Sequence, residues 1–146
     1  MPISLQEAID MAQRYHVAAS SRGDRSEVAD FFTHPDGIAV HILHGDDLMI
    51  DDVIEAMKGF TDHHFEPMDP WTLTPLCEEL EKARVTGAIY WRATPVDAAS
   101  PLMEAIVGED WVVERGSDGK LRFSLYINPY HHQLPGSAST GLHTQA

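Results

Sequence analysis

The chain has 146 residues, 43% of them hydrophobic, which is the size and composition of one ordinary globular domain. Ten basic and 23 acidic residues give a formal net charge of −13. Such a surface repels phosphate backbones and anionic lipid headgroups, so we expect neither a nucleic-acid nor a membrane partner. The single cysteine, Cys77, excludes an internal disulfide bond, and the start of the chain lacks a signal-like pattern. Both features favour the cytoplasm.

The N-terminal part has the patterns of helices. Ser4–Glu7 reads as a capping box, and apolar residues then recur at helical spacing as far as Ala19, which predicts a first helix. The elements expected next are a short helix over 26–32, a strand over 38–43, a turn at 45–47 and a helix from 51 or 52 to about 63. Pro67, Asp69 and Pro70 are expected to interrupt the chain after that.

The second half has the patterns of strands. Strands are predicted over 71–77, 83–94, 105–115 and 121–128, with a hairpin connection at 78–82 and a tight turn at Asp118-Gly119. Helices followed by strands predict an α+β domain, in which helices cover a strongly curved antiparallel sheet and enclose a pocket. We expect this domain to span residues 1–135. Residues 136–146 are expected to form a tail that is mobile or docked on a partner.

Several segments resemble nuclear transport factor 2-like domains. Gln13-Arg14-Tyr15, Arg22-Gly23-Asp24 and Val28–Phe32 resemble the opening of that fold. Gly108–Val113, with Asp118-Gly119-Lys120, resembles its closing hairpin. The resemblance covers about residues 4–130, and the nearest enzyme branches look like ketosteroid isomerase and the SnoaL-like polyketide cyclases. It implies a cone-shaped, mostly antiparallel sheet, three N-terminal helices, often a homodimer, and an apolar ring-containing substrate of aromatic or polyketide metabolism.

Three catalytic residues follow from this resemblance. Tyr15 matches the tyrosine that donates to the oxyanion in the isomerase, and Asp110 matches its second oxyanion donor. The position of the isomerase's general base falls on His41, so that an imidazole stands where a carboxylate is expected. A histidine titrates near neutral pH and can accept a proton there. An aspartic acid kept neutral by burial can donate a hydrogen bond to an oxyanion, as it does in ketosteroid isomerase.

Each of these residues also has an ordinary structural interpretation. Tyr15 can be a packing residue of the first helix, and His41 can be satisfied by a backbone carbonyl. Strand alternation places Asp110 on the face opposite Trp111, which is either the pocket face or a solvent-facing surface. A further alternative, the Asp-Arg-Asp triad of limonene-type epoxide hydrolases, is not met, because Leu125 stands where one of its acids belongs.

Four more residues are candidates for binding substrate: Tyr90, Arg92, Tyr126 and His44. Arg92 would bind a carboxylate or a phenolate, or else form a surface salt bridge. His41 and His44 form a His-x-x-His pattern, but an offset of three points to opposite faces of a strand, so no metal site is predicted. The sequence also has no glycine-rich phosphate loop and no Gly-x-Ser-x-Gly elbow, and we predict no cofactor.

The sequence therefore predicts a cofactor-independent acid/base enzyme, a lyase or an isomerase. Isomerisation, dehydration, cyclisation and retro-aldol cleavage begin with the same proton removal, so the residues do not choose among them. Two alternatives stay open. One is a module that only binds or carries a small molecule, which a purely apolar pocket would favour. The other is an epoxide hydrolase or cyclase with rearranged carboxylates.

Overall fold

The computed structural model describes residues 2–21, 24–34, 39–41, 46–48, 50–77, 81–97 and 99–138. The helices are α1 (Leu5–Ser20), α2 (Arg25–Ala29) and α3 (Ile50–Met57). The strands are β1 (Ala39–His41), β2 (Asp46–Leu48), β3 (Phe60–Cys77), β4 (Lys82–Pro95), β5 (Met103–Arg115), β6 (Leu121–Asn128) and β7 (His131–Gln133). Three helices against a large, curved and unclosed antiparallel sheet confirm the predicted α+β architecture.

Helix α1 begins where the capping box predicts. The Ser4 hydroxyl accepts from the Glu7 backbone N–H at 3.1 Å, and the Glu7 carboxylate accepts from the Ser4 N–H at 3.1 Å. This reciprocal pair satisfies two backbone donors that a helix start leaves unpaired. The buried face of α1 consists of Ala8, Met11, Ala12, Tyr15, His16 and Ala19. Its 3.6-residue spacing turns this face towards the sheet.

The strands of the sheet lie in the order β2-β1-β6-β5-β4-β3, and all neighbours are antiparallel except β1 and β6, which run parallel. Strand β5 changes its partner along its length. Its first part, Ala105–Val107, pairs with β7, and its second part pairs with β6 from Asp110 onward. Glu109 therefore lies at the junction between the two partner strands.

The structure corrects several predicted boundaries. Strand β3 runs unbroken through Pro67 and Pro70, and His63 lies in it rather than in α3. The predicted turn at 45–47 overlaps strand β2, and β7 was not predicted. Residues 136–138 are attached to the domain, because the Glu104 N–H donates to the Ser137 hydroxyl at 2.9 Å and the Ala138 side chain is buried. Residues 139–146 of the expected tail lie outside the described residues.

Two groups of buried side chains form the core. One surrounds Trp111 and includes Tyr15, Phe123 and Tyr126, between α1 and the sheet. The other contains Trp91, with members from β3, β4 and β5. Aromatic rings of the first group meet mostly edge to face, which is the favoured geometry for such pairs.

Gly87 makes room for an indole at the centre of the sheet. It is the β4 residue opposite Glu109, and a methyl group on it would lie 2.2 Å from Trp71 Cδ2. Gly87→Ala should therefore displace Trp71 from its contact with Trp111 and lower the free energy of unfolding by about 1–3 kcal/mol in urea titrations.

The control is Gly59→Ala, where the added methyl group would meet its nearest atom, the Ala56 carbonyl oxygen, at an ordinary 3.5 Å. We expect a change within about 0.5 kcal/mol there. Equal losses of stability in the two variants would contradict a steric role of Gly87.

Candidate functional site

A cavity lies between α1, α3 and the concave face of the sheet, with an empty volume of about 630 Å3 that includes its open mouth. Most of its wall is apolar or aromatic, and members of both core groups contribute to it. Its polar side chains are Tyr15, His16, Glu109, Tyr126, Asn128 and His131, together with the Trp91 indole. An apolar cavity with a few convergent polar groups is the usual form of a small-molecule site.

Glu109 is the one acidic side chain in this wall among the residues the structure describes, and only 2% of its surface is exposed. Three side chains form hydrogen bonds with its carboxyl group. Trp111 Nε1 and Asn128 Nδ2 donate to Oε2 at 2.8 and 2.9 Å, and the Tyr126 hydroxyl lies 3.1 Å from Oε1. Glu109 and Trp111 share a face of β5 because side chains alternate along a strand.

Burial controls the protonation state of this carboxyl group. Loss of hydration raises the pKa of Glu109 to about 8, and the hydrogen bonds from Trp111, Tyr126 and Asn128 oppose that rise without cancelling it. Glu109 is consequently a neutral carboxylic acid at pH 7, and a modest change in its surroundings would ionise it. Titratable groups with such shifted pKa values are concentrated at functional sites.

Tyr15 presents a second polar group to the cavity. Its ring is held edge-on by Phe32 and Phe123, with centroids at 5.3 and 5.5 Å. Its hydroxyl makes no hydrogen bond to any residue that the structure describes. Burial, and then the charge of Glu109, raise the pKa of Tyr15, which keeps the hydroxyl a neutral donor. A donor of this kind is available to an oxygen atom of a ligand.

His16 lies one residue further along α1 and is also buried. Its Nε2 atom is 3.1 Å from the Tyr126 hydroxyl, and its ring stacks on Phe65 at a centroid distance of 4.7 Å. Burial lowers the pKa of His16 to about 4, so the imidazole is neutral at pH 7.

The structure brings two of the predicted site residues, Tyr15 and Tyr126, into the cavity wall. It places Asp110 elsewhere, on the outer face of the sheet, where its carboxylate forms a two-pronged ion pair with Arg84 at 2.9 and 2.7 Å. The expected position of Asp110 in the pocket is therefore corrected. The acid that reaches the cavity is its neighbour Glu109, because the buried face of β5 is the Trp111 face.

The predicted positions of Tyr90 and Arg92 in the pocket are also wrong. Both lie on the outer face of β4, where the Tyr90 hydroxyl donates to Glu104 at 2.5 Å and Arg92 is exposed. Trp91, between them, faces the cavity. The backbone of His41 pairs with Asn128 in the parallel β1–β6 ladder, while its side chain, like the whole of His44, lies outside the described residues.

The sequence reasoning missed four polar residues of the wall: His16, Glu109, Asn128 and His131. A sequence pattern marked three of them. His16 belongs to the helical apolar stripe of α1, Glu109 shares the alternation of Val107, Trp111 and Val113, and Asn128 follows Tyr126 by two residues on β6. No comparable pattern marks His131.

The described part of the chain lacks two other kinds of functional feature. It contains no group of three His, Cys, Asp or Glu side chains that would hold a metal ion. None of its helices is long and apolar enough to cross a membrane.

Solved structures with the same fold span nearly the whole chain. A candidate scytalone dehydratase of Novosphingobium aromaticivorans DSM 12444 has a TM-score of 0.66 at 14% identity, over 97% of this chain and 89% of that one. A ketosteroid isomerase-like protein of Erwinia carotovora atroseptica SCRI1043 has a TM-score of 0.58 at 15% identity, over 90% and 98%. A nuclear transport factor 2-like protein of Novosphingobium aromaticivorans has a TM-score of 0.59 at 16% identity, over 95% and 88%.

Comparison of sequences is less informative than comparison of folds. No protein-family model and no curated protein matches the chain. The similarity to the solved structures extends over the three helices and the curved sheet that enclose the cavity. The chain therefore has the nuclear transport factor 2-like fold.

Proposed function

We propose that the protein is a cofactor-independent acid/base enzyme, a lyase or an isomerase, that acts on a neutral, ring-containing small molecule. The observation that carries this proposal is the buried carboxyl group of Glu109 in the wall of an apolar cavity, with its pKa raised to about 8. A group that titrates near the working pH is well suited to give or take a proton.

Glu109 and Tyr15 would act on the same oxygen atom of the substrate. When a proton is removed beside a carbonyl group, negative charge develops on the carbonyl oxygen. The Tyr15 hydroxyl is an unused donor in the wall, and neutral Glu109 can supply a proton. His41 remains the proposed base, since its backbone lies beside Asn128, which itself contacts Glu109.

The wall also indicates the charge of the substrate. None of the described residues that line the cavity is Lys or Arg, and His16 is neutral at pH 7. A carboxylate or phosphate would lose its hydration here without gaining a cation, which costs several kcal/mol or more. A flat apolar ring would pack instead against Phe65 and Trp91, whose planes are parallel within 4°.

The similar structures support the reaction class. Their names speak of a dehydratase and of an isomerase-like protein, and dehydration of a β-hydroxy ketone and isomerisation of an enone both start with a proton taken beside a carbonyl group. The homodimer and the cytoplasmic location that the sequence suggested stay predictions.

The test is turnover without any added cofactor. Bicyclic β-hydroxy ketones and β,γ-unsaturated ketones both yield conjugated enones, which ultraviolet absorbance detects. We expect at least one compound of this panel to be converted, and Tyr15→Phe to lower its kcat/KM by at least about tenfold because an oxyanion donor is lost.

The matched control for this substitution is Tyr130→Phe, since Tyr130 is 44% exposed and is absent from the cavity wall. It should keep full activity. Equal rates for wild type and Tyr15→Phe on a converted compound would remove Tyr15 from the mechanism.

The hydrogen bonds of Glu109 also fit a second function, that of a carrier. Its two oxygen atoms already have three hydrogen-bond partners within the protein. A carrier that only holds a neutral ring compound needs no more than that. Binding of panel compounds without conversion, and with a Kd that Glu109→Gln leaves unchanged, would support the carrier over the enzyme.

A further inference from the structure

A chain of three side chains crosses the interior from β5 to α1. Glu109 Oε1 lies 3.1 Å from the Tyr126 hydroxyl, and that hydroxyl lies 3.1 Å from His16 Nε2. A tyrosine hydroxyl carries a single proton, so it donates to one of these neighbours and accepts from the other. The direction of both hydrogen bonds must therefore reverse together.

We propose that His16 ends a proton relay that begins at Glu109, and that the tautomer of its imidazole follows the protonation state of Glu109. The relay stands on these contacts alone, whether or not the protein is an enzyme. If it is one, the relay supplies the route by which Glu109 exchanges its proton.

The two states of the relay follow from the hydrogen-bonding rules. When Glu109 is protonated, its O–H donates to the Tyr126 oxygen, the Tyr126 O–H donates to His16 Nε2, and the imidazole proton is on Nδ1. When Glu109 is a carboxylate, the Tyr126 O–H donates to it, and His16 Nε2–H donates to Tyr126. His16 is neutral in both states and only its tautomer changes.

The transfer between these states balances bond by bond. The Glu109 O–H bond breaks and a new O–H bond forms on Tyr126, whose own proton moves to His16 Nε2. The Nδ1–H bond of His16 then breaks, and the proton passes to a water molecule and from it to bulk water. The proton carries one positive charge to bulk water, and one negative charge remains on Glu109 as a carboxylate.

A place for that water molecule lies on the far side of His16. A second, much smaller cavity, with room for about one water molecule, is lined by His16 and Trp71. His16 Nδ1 and Trp71 Nε1 are both buried, and neither has a hydrogen-bond partner among the residues the structure describes. A water oxygen accepts two hydrogen bonds, one from each N–H group, and buried polar groups of this kind are commonly satisfied so.

Among the described residues, the other titratable groups near the relay are Tyr15 on α1, His63 on β3 and His131 on β7. From α3, Val53 and Met57 face the cavity and neither titrates. The pKa of Tyr15 and that of Tyr126 are raised by burial, so neither tyrosine ionises before Glu109 does.

Nitrogen-15 NMR of the histidine rings tests the relay directly. The two nitrogens of a neutral imidazole have different shifts, one for the protonated and one for the bare atom. As the pH rises through the titration of Glu109, followed by its carboxyl carbon-13 shift, we expect the proton of His16 to move from Nδ1 to Nε2. Assignment of the His16 signals uses their loss in His16→Gln.

Two variants make the result specific. Glu109→Gln should hold His16 in the Nδ1–H tautomer at every pH from 6 to 10, because Trp111 and Asn128 donate to the amide oxygen and the NH2 group is then left to donate to Tyr126. Tyr126→Phe should abolish the pH dependence of the tautomer. A His16 tautomer that stays constant while Glu109 titrates, or that still switches in folded Glu109→Gln, would overturn the proposal.

Discussion

Glu109→Gln is expected to lower kcat/KM for the converted ketone by about 10²–10⁴-fold, the usual contribution of a positioned acid or base. The amide has the size of the acid and keeps its neighbours: its carbonyl accepts from Trp111 and Asn128, and its NH2 group donates to the Tyr126 oxygen. The substitution removes only the acidic carboxyl proton. The wild-type rate should also fall as the pH rises through about 8, because Glu109 then loses its proton.

The matched control is Asp110→Asn, the same exchange one residue further along β5. Asp110 lies on the outer face in its ion pair with Arg84, and exposed pairs of this kind contribute little to stability. We expect its kcat/KM to stay within about twofold of wild type. Full activity in Glu109→Gln, with circular dichroism showing an intact fold, would exclude Glu109 as the acid.

Much of the sheet could be predicted because its strands alternate in hydrophobicity. The ends of β4, β5 and β6 agree with the sequence expectation to within two residues. The predicted strand over 71–77 is shorter than the observed β3, because Pro67 and Pro70 suggest a break in the sequence. It is an edge strand, and an edge leaves backbone positions whose N–H group needs no partner, so proline is tolerated there.

The site itself depended on a choice between two faces of β5. Side chains alternate with a period of two, so an error of one residue exchanges the inner and the outer set. Both faces of β5 are apolar in sequence, with Val107 and Val113 on one and Ile106 and Val112 on the other. The sequence therefore does not show whether Glu109 or Asp110 faces the cavity. The fold does, because α1 covers the face of β5 that carries Trp111 and Glu109.

The burial of His16 follows from the sequence, but its function does not. Its position in the apolar stripe of α1 places it against the sheet. Its partner Tyr126 is 110 residues away along the chain, and no local pattern connects them. Contacts of that kind become visible only when the fold is known.

Glu109→Gln is also expected to change the pH dependence of stability. Between about pH 4.5 and 8 the folded protein holds a proton on Glu109 that the unfolded chain releases, so the free energy of unfolding falls as the pH rises. The slope is about 1.4 kcal/mol per pH unit, or about 5 kcal/mol over the whole range. The glutamine variant has no such group. At pH 8 and above, its free energy of unfolding should therefore be larger than that of wild type.

His16 gives the opposite slope, which makes the comparison sharper. Its pKa is about 4 in the folded protein against an ordinary value of 6.5, so folding excludes a proton there and stability rises with pH up to about 6.5. The two slopes cancel in wild type from about pH 4.5 to 6.5, and Glu109 alone then lowers stability towards pH 8. In Glu109→Gln stability should rise to about pH 6.5 and then stay level. Urea unfolding at half-unit pH intervals measures both curves, and parallel curves above pH 6.5 would mean that Glu109 is already ionised in the folded protein.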